Sequence, residues 1–439
     1  MTRKLAAVVL AGGLGTRMHS ATPKHFHLLL GRRMVDWVVE AARALEAEPL
    51  VVVTSPQEKD AFDGIQVAVQ AEPRGTGDAL AAARGSLDGI DGALLVLAGD
   101  VPVLSPEVLG ELLETHRREE AAATVLSFLP PDPREYGRVI RDENGGVHAI
   151  VEAGDATPEQ LALGEANSAI YVFEANRVWP ALDRLDPSNR QGELYLTDAV
   201  RHLVENGERV AAHVAADPVE AEGVNTRAEL AAAAAALRDR VNEAHMIAGV
   251  TIVDPATTWI DADVEIEPDA TIHPFTVLSG KTRVGAGAVV GPHAVAADAV
   301  IGPEATVGPF CYLRPGTVLE ARAKAGTFVE IKNSHIGEGA KVPHLSYIGD
   351  ADVGEETNIG AGAITANYRP ELGPGKFRTE IGRNVHTGSD NVFVAPVTVG
   401  DNAWVAAGSV VTKNVPPGAL AIARSKQVTK EGYDSRKHD

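Results

Sequence analysis

Residues 264–290 read VEIEPDATIHPFTVLSGKTRVGAGAVV, and an aliphatic side chain returns there every six positions, at Ile266, Ile272, Leu278, Val284 and Val290. Four residues behind most of them stands a small or β-branched side chain: Ala270, Thr276, Thr282, Ala288 and Ala294. The register slips, then resumes at Ile301, Val307, Leu313 and Leu319, with Ala305, Cys311 and Thr317 in the small positions. It runs again through Phe393, Val399, Val405 and Val411. Gly often follows the aliphatic residue, as in Val284-Gly285 and Ile301-Gly302. Such hexapeptide periodicity is the signature of a parallel β-helix. Three hexads make one triangular coil, the aliphatic residue stacks inside the prism, and the small residue fits the corner. A sandwich of irregular strands is the alternative, and a period of six held over so long a run argues against it.

Upstream of the repeat the texture changes. Thr226 and Glu229 have capping-box spacing. The alanine run Ala231–Ala236 behind them has the highest intrinsic helix propensity, so Thr226–Ala248 reads as a long connecting helix. Before it, short apolar runs alternate with amphipathic stretches. Strands are expected at Ala6–Leu10, Leu50–Thr54, Leu94–Leu97 and Ala123–Phe128, and helices at Val35–Leu45 and Asp78–Arg84. That alternation predicts an α/β domain with a mostly parallel sheet, whose ligands bind beyond the carboxyl ends of the strands. The expected division is 1–226, a helix over 227–248, and 249–439.

A chain of 439 residues with 45% hydrophobic and 23% charged side chains reads as soluble and multidomain. The formal net charge of −20 argues against non-specific binding to nucleic acid or membrane. Cys311 is the single cysteine, so no intramolecular disulfide is possible and a reducing cytoplasm is expected. The opening MTRKLAAVVLAGG has early cations before an apolar run, but that run is short and enters a glycine loop, which fits a first buried strand better than a signal peptide. No stretch is long and apolar enough for a membrane span.

The glycine loop carries the first chemistry. Leu10-Ala11-Gly12-Gly13-Leu14-Gly15-Thr16-Arg17-Met18 is followed by Pro23-Lys24. Glycines let backbone N–H groups approach phosphates, and Arg17 and Lys24 can neutralise them. A dinucleotide-binding loop is the rival. Gly13-x-Gly15 fits half of that fingerprint, but Met18 stands at the third glycine and Asp36 falls in a helical pattern.

On these motifs the front half resembles the sugar-phosphate nucleotidyltransferases. Over nearly the whole chain, from Leu5 to about Gly432, the sequence is similar to the family of bifunctional N-acetylglucosamine-1-phosphate uridyltransferases/glucosamine-1-phosphate acetyltransferases. The resemblance implies two reactions. Acetyl-CoA, as co-substrate, acetylates glucosamine 1-phosphate. UTP then transfers its uridylyl group to N-acetylglucosamine 1-phosphate and releases pyrophosphate, giving UDP-N-acetylglucosamine for cell-wall precursors. It also implies that the β-helix is left-handed and that the chain forms a homotrimer.

Residue by residue, the resemblance gives Arg17 and Lys24 catalytic roles in the front domain. It puts Leu10, Ala11, Gly12, Gly13 and Lys24 at the nucleotide, and Gln70, Gly75 and Thr76 at the uracil. Gly99 and Asp100 follow a buried strand, and Asp100 with Asn225 matches the ligands of Mg2+. Gly137, Glu152 and Asn167 match positions that hold the amino sugar. Read singly, Asp100 could be a turn residue, Asn225 a helix cap and Glu152 a solvated charge; their ordered joint appearance favours the site.

In the rear domain His344 matches the catalytic base that takes a proton as the amine attacks the thioester. Arg314, Lys332, Tyr347 and Asn358 match contacts to glucosamine 1-phosphate, and Ala361, Asn367, Tyr368, Ser389, Ala407 and Arg424 match the acetyl-CoA site. The stretch Arg369–Arg378 breaks the six-residue rhythm and is expected as an external loop, which in the family reaches a neighbouring subunit. The sequence departs from the family at Ala98, Gly154, Ser168-Ala169, Arg369-Pro370 and His386-Thr387, all close to these pockets. Three rivals are set against this: a nucleotidyltransferase whose β-helix is only structural or regulatory, against which His344, Lys332 and Arg314 speak; a non-enzymatic binding subunit of the same architecture, against which the glycine loop, Lys24, Asp100 and Asn225 speak; and a relative with another sugar or base preference.

Overall fold

The computed structural model describes residues 4–433 except Leu14 and Arg134. The extreme ends of the expected domains, and Arg3 of the opening segment, lie outside the described residues. The chain divides into two compact units, Met1–Leu237 and Arg238–Asp439.

The front unit is built on a twisted sheet. Its strands run, in spatial order, Val210–Val214, Ala123–Phe128, Ala166–Glu174, Gly92–Ala98, Lys4–Leu10, Leu50–Thr54 and Gln66–Val69. The strands at 92–98, 4–10, 50–54 and 66–69 are mutually parallel. Of these seven only 166–174 runs against its neighbours, and the sheet is extended beside it by the antiparallel pair 138–141 and 147–151. A strand's side chains alternate between faces, and the central strands use both faces as core. Ala6, Val8, Leu94 and Val96 pack on one side with the helices at Thr76–Ala82, Ala175–Leu182 and Leu196–Glu205. Ala7, Val9, Leu95 and Leu97 pack on the other with Met34–Arg43 and Pro106–Arg118. Burial on both sides is why these strands read as unbroken apolar runs.

The four expected strands are present, 4–10 and 92–98 being longer than read and 50–54 and 123–128 matching residue for residue. The helix expected over Asp78–Arg84 is displaced. It starts at Thr76, ends at Ala82, and gives way to a 3-10 turn over Arg84–Leu87. The antiparallel strand 166–174 and the hairpin of Arg138–Arg141 with Val147–Val151 carried no clear sequence signal. Asn167 and Ser168 interrupt the apolar pattern of the former at a bulge.

The rear unit is a parallel β-helix. Its short strands fall into three stacks, each made only of parallel pairs, and the hexads alternate among them. Thr271-Ile272 lies on Val289-Val290, and Val277-Leu278 on Val295-Ala296. Ile272, Leu278, Val290, Val307, Leu313 and Leu319 are completely buried, and so are Ala270, Thr276, Thr282, Ala288 and Ala294 at the corners. Each fully buried aliphatic side chain contributes about 1.5–3 kcal/mol of hydrophobic stabilisation.

The register slip has a local cause. One coil turns its corner through Gly280-Lys281, whereas the next turns through Asp298 alone, so Val284 pairs with Ile301 one residue early. Asp298 adopts φ 45°, and its carboxylate accepts a hydrogen bond from Lys281 N at 2.9 Å. Asn333, also at φ 45°, makes the same shortened corner between Ile331 and Ile336. The stretch 369–378 lies outside the stacks, carries a 3-10 turn over Pro370–Leu372, and returns to the prism at Thr379–Ile381.

The connecting helix runs over Arg227–Ile247. Its capping box is closed: Glu229 N donates to Thr226 Oγ1 at 3.2 Å, and Thr226 N to Glu229 Oε2 at 3.0 Å. The unit boundary falls inside this helix, so its second half belongs to the rear unit. There Asn242, fully buried, donates to the carbonyls of Pro255 and Thr258 at 2.9 and 3.0 Å and fastens the helix over the first coil. No helix among the described residues is long and apolar enough to cross a membrane.

Candidate functional site

Beyond the carboxyl ends of the 4–10 and 92–98 strands opens a cavity of about 500 Å³. It brings together Leu10, Gly12, Gly13, Arg17, Lys24, Gln70, Gly75, Thr76, Asp100, Glu152, Asn167 and Asn225, twelve of the expected front-domain residues. Ala11, Gly99 and Gly137 do not line it but shape its wall. Ala11 N donates to Val53 O at 2.7 Å, and a Cβ on Gly99 would stand 2.9 Å from Leu10 O. A Cβ on Gly137 would stand 3.4 Å from Glu152 Oε2.

The charged centre is Lys24, 8% exposed, whose ammonium bonds both Asp100 Oδ2 and, at 2.6 Å, Asn225 Oδ1. Arg17 reaches the same Asn225 oxygen at 2.9 Å. Burial alone would raise the Asp100 carboxyl, but the Lys24 ammonium, by its charge and its hydrogen bond, outweighs it and holds the group below its usual range. Two oxygens from distant parts of the chain therefore already converge on one cation. That donor set fits Mg2+, which takes hard oxygen ligands and completes its shell with phosphates and water. Among the described residues no cluster of three or more His, Cys, Asp or Glu could hold a metal unaided, so substrate oxygens would have to share it.

At the other end Gln70, 7% exposed, donates from Nε2 to Gly75 O at 3.1 Å and to Asp78 Oδ2 at 2.9 Å. Thr76 Oγ1 accepts from Leu196 N at 3.0 Å and ties this loop to the opposite wall. There Glu152 accepts from Thr197 Oγ1 at 3.2 Å. Burial raises the Glu152 carboxyl, and Asp155, Asp198 and Glu193 add to the rise. Asn167 Nδ2 donates to Tyr171 OH at 2.8 Å. Ala169 holds φ 62° in this wall.

His25, Tyr171, Glu193 and Thr197 also line the cavity and were missed in the sequence. Tyr171 shares a face of its strand with Asn167 and could have been inferred once that strand was known. Glu193 lies in the irregular stretch ahead of the helix Leu196–Glu205, and Thr197 stands in that helix's first turn, a helix not among those expected from the sequence.

On the rear unit Arg314, Lys332 and Tyr347 occupy neighbouring coils of one face. Arg314 N donates to Ile331 O at 2.8 Å, Lys332 pairs with Gly349, and Tyr347 with Glu330. Arg314 meets Glu330 at 2.9 Å. Asp350 is the hub. It accepts from Asn333 and Asn367 at 2.6 Å each, and Lys332 Nζ stands 3.8 Å away. Asn367 also donates to Tyr347 OH at 3.3 Å, so the expected sugar and coenzyme contacts meet there. Asp350 and Asn333 were not expected to matter.

His344 ends the strand Lys341–His344, with Val342 fully buried beneath, and its ring is exposed with no side-chain partner among the described residues. Asn358 bridges Lys341 and His386 in the same stack. Ala361, Ser389 and Ala407 follow one another up a single corner: Asp390 N donates to Ala361 O at 2.7 Å and Gly408 N to Ser389 O at 2.8 Å. Arg424 lies beside Gly408, its Cδ 3.9 Å from a Cβ placed there. Tyr368 is 63% exposed, with the Lys376 ammonium 4.2 Å over its ring.

Residues 7–195 match the model of the MobA-like NTP transferase domain. Over 99% of its length the chain is 49% identical to the bifunctional protein GlmU of Streptomyces avermitilis, covering 95% of that protein. It is 46% identical to the protein of that name from Mycolicibacterium vanbaalenii, over 99% of this chain and 94% of the other. It is 45% identical to the one from Mycobacterium tuberculosis, over 98% and 92%.

Proposed function

We propose how a chain that belongs to the bifunctional GlmU family divides its chemistry between its two units. It makes UDP-N-acetylglucosamine, acetylating glucosamine 1-phosphate and then transferring uridylyl from UTP to the product. The front cavity serves uridylyl transfer. There an oxygen of the sugar phosphate attacks the α-phosphorus of UTP as the bond to pyrophosphate breaks. The observation that carries this reading is the convergence of Lys24, Asp100 and Asn225 below the glycine loop. Lys24 and Arg17 neutralise the crowded phosphates, and the loop amides orient them. Asp100 and Asn225 would hold Mg2+, which when bound spreads the negative charge that builds up as pyrophosphate leaves. Gln70, Gly75 and Thr76 read the uracil. Glu152 and Asn167 hold the amino sugar.

The rear face serves acetyl transfer. Arg314 and Lys332 hold the phosphate of glucosamine 1-phosphate, with Tyr347 and Asn358 at the sugar. The amine nitrogen forms a bond to the acetyl carbon, the carbon–sulfur bond breaks, and His344 takes the amine's proton while coenzyme A leaves as its thiolate. Acetyl-CoA lies along the corner of Ala361, Ser389 and Ala407, with Arg424, Asn367 and Tyr368 around it.

The chain works as a homotrimer in this reading. Phe275, His293, Phe310 and Phe328 stack on successive coils, ring centres 4.7, 4.7 and 5.3 Å apart, and Leu345 continues the exposed row beside His344. Val277, Val295 and Tyr312 flank it. A ladder this apolar and exposed supports packing against a second prism. Cys311 is a buried free thiol, which suits the reducing cytoplasm where we place the enzyme. The test is a product assay with each nucleotide and each sugar phosphate, with and without acetyl-CoA. UDP-N-acetylglucosamine formed from glucosamine 1-phosphate only when acetyl-CoA is present supports the reading. Nucleotide transfer with no acetyl transfer under any condition contradicts it.

A further inference from the structure

His25 is buried in the wall of the front cavity, 5% exposed, yet its ring has no hydrogen-bond partner among the described residues. Such a group normally finds a partner in protein, water or ligand. The ring edge that carries Nε2 faces two glycines. A Cβ on Gly13 would stand 3.8 Å from its Cε1, and one on Gly99 would stand 3.3 Å from its Cδ2. Nε2 lies between those two carbons. The glycine loop sets an order of contacts along the cavity: Gly12 abuts the Gln70 amide, Gly13 the His25 imidazole, and Gly15 the Lys24 stem.

A nucleoside triphosphate has the same order of base, ribose and phosphates. We propose that His25 reads the ribose, its Nε2 hydrogen-bonding a hydroxyl of the bound nucleotide. This rests on the front cavity being the UTP site. An imidazole can accept or donate depending on its tautomer, and a hydroxyl can do the converse, so either tautomer serves. Burial, reinforced by Lys24, lowers the His25 pKa to about 4 against the pull of Asp100, so the ring is uncharged at neutral pH. An uncharged donor–acceptor suits a hydroxyl, while the phosphates already have Lys24 and Arg17.

The experiment measures kcat and KM with UTP, 2′-deoxy-UTP and 3′-deoxy-UTP for wild type, His25→Val and His25→Gln, with acetyl transfer by the same full-length preparations as the control for integrity. One uncharged hydrogen bond is worth about two- to tenfold in KM. Wild type should lose that factor on one deoxy analogue. His25→Val should lose it on UTP, with kcat little changed, and should no longer distinguish UTP from that analogue. His25→Gln, whose amide reaches the place of Nε2, should recover the distinction. The inference is overturned if His25→Val leaves UTP unaffected, or weakens UTP and both analogues equally. Should His25→Val be insoluble, His25→Gln decides alone, and equal KM for all three nucleotides refutes the idea. Failure of wild type to turn over UTP would instead strike at the nucleotide site itself.

Discussion

Gly75→Ala is a severe perturbation whose size follows from the coordinates. Gly75 has φ 115° and ψ 173°, a conformation open essentially only to glycine. Forcing alanine into it costs about 1–3 kcal/mol. The new Cβ would also meet backbone atoms of Leu194, its O at 2.5 Å, N at 2.8 Å and C at 3.0 Å. Backbone cannot swing aside as a side chain tip can, so overpacking adds about 1–3 kcal/mol. Together these predict a loss of about 2–6 kcal/mol, which in a domain of this size lowers Tm by roughly 5–20 °C. The damage should reach function, because the Leu194 segment carries Glu193, Leu196 and Thr197 of the cavity wall, and Gly75 O holds the Gln70 amide. Calorimetry and KM for UTP, beside Gly154→Ala, measure both effects. Gly154 has open space where its Cβ would go, and its variant should melt like wild type. A Gly75→Ala protein with unchanged Tm and unchanged KM would refute the packing described for this loop.

Glu152→Gln should change how stability depends on pH. The folded carboxyl is raised, so the native state holds its proton to a higher pH than the unfolded chain, and stability falls as pH rises from the ordinary carboxyl range through the folded value. Glutamine removes that fall. The variant should therefore melt like wild type in acid and above it at neutral pH, while its KM for N-acetylglucosamine 1-phosphate rises; equal melting curves at all pH values would contradict the raised carboxyl. A chelator should stop uridylyl transfer and leave acetyl transfer unchanged, whereas loss of both would remove the metal from its assignment to Asp100 and Asn225. Sedimentation should give a trimer, with Phe310→Asp driving it toward monomers that lose acetyl transfer. A wild-type monomer active in both reactions would contradict a site shared between chains.

The rear fold was legible because a β-helix repeats one local solution. Ile272, Leu278, Val290 and Leu313 sit in equivalent slots, so the period appears in the sequence itself. Even the slip marked a real feature, the shortened corner at Asp298. The front sheet was legible where strands are buried on both faces and illegible in the 138–151 hairpin and the antiparallel 166–174 strand. Sites followed the same division. Lys24, Asp100 and Asn225 stand in motifs and meet in space. His25, Tyr171, Glu193 and Thr197 reach the cavity only through tertiary packing, as Asp350 gains its three polar neighbours only through stacking of coils.

The most direct test of one chain carrying two separate chemistries is to assay both reactions in Asp100→Ala and His344→Ala. Asp100→Ala removes one of the two oxygens that converge on the Lys24 cation and should abolish uridylyl transfer while acetyl transfer stays at the wild-type rate. His344→Ala should lower acetyl transfer about a hundredfold to ten-thousandfold, the range for loss of a general base, and leave conversion of supplied N-acetylglucosamine 1-phosphate and UTP unchanged. Acetyl transfer by His344→Ala within about threefold of wild type would show the base to be misassigned. Loss of both activities in either variant would contradict the independence of the two sites.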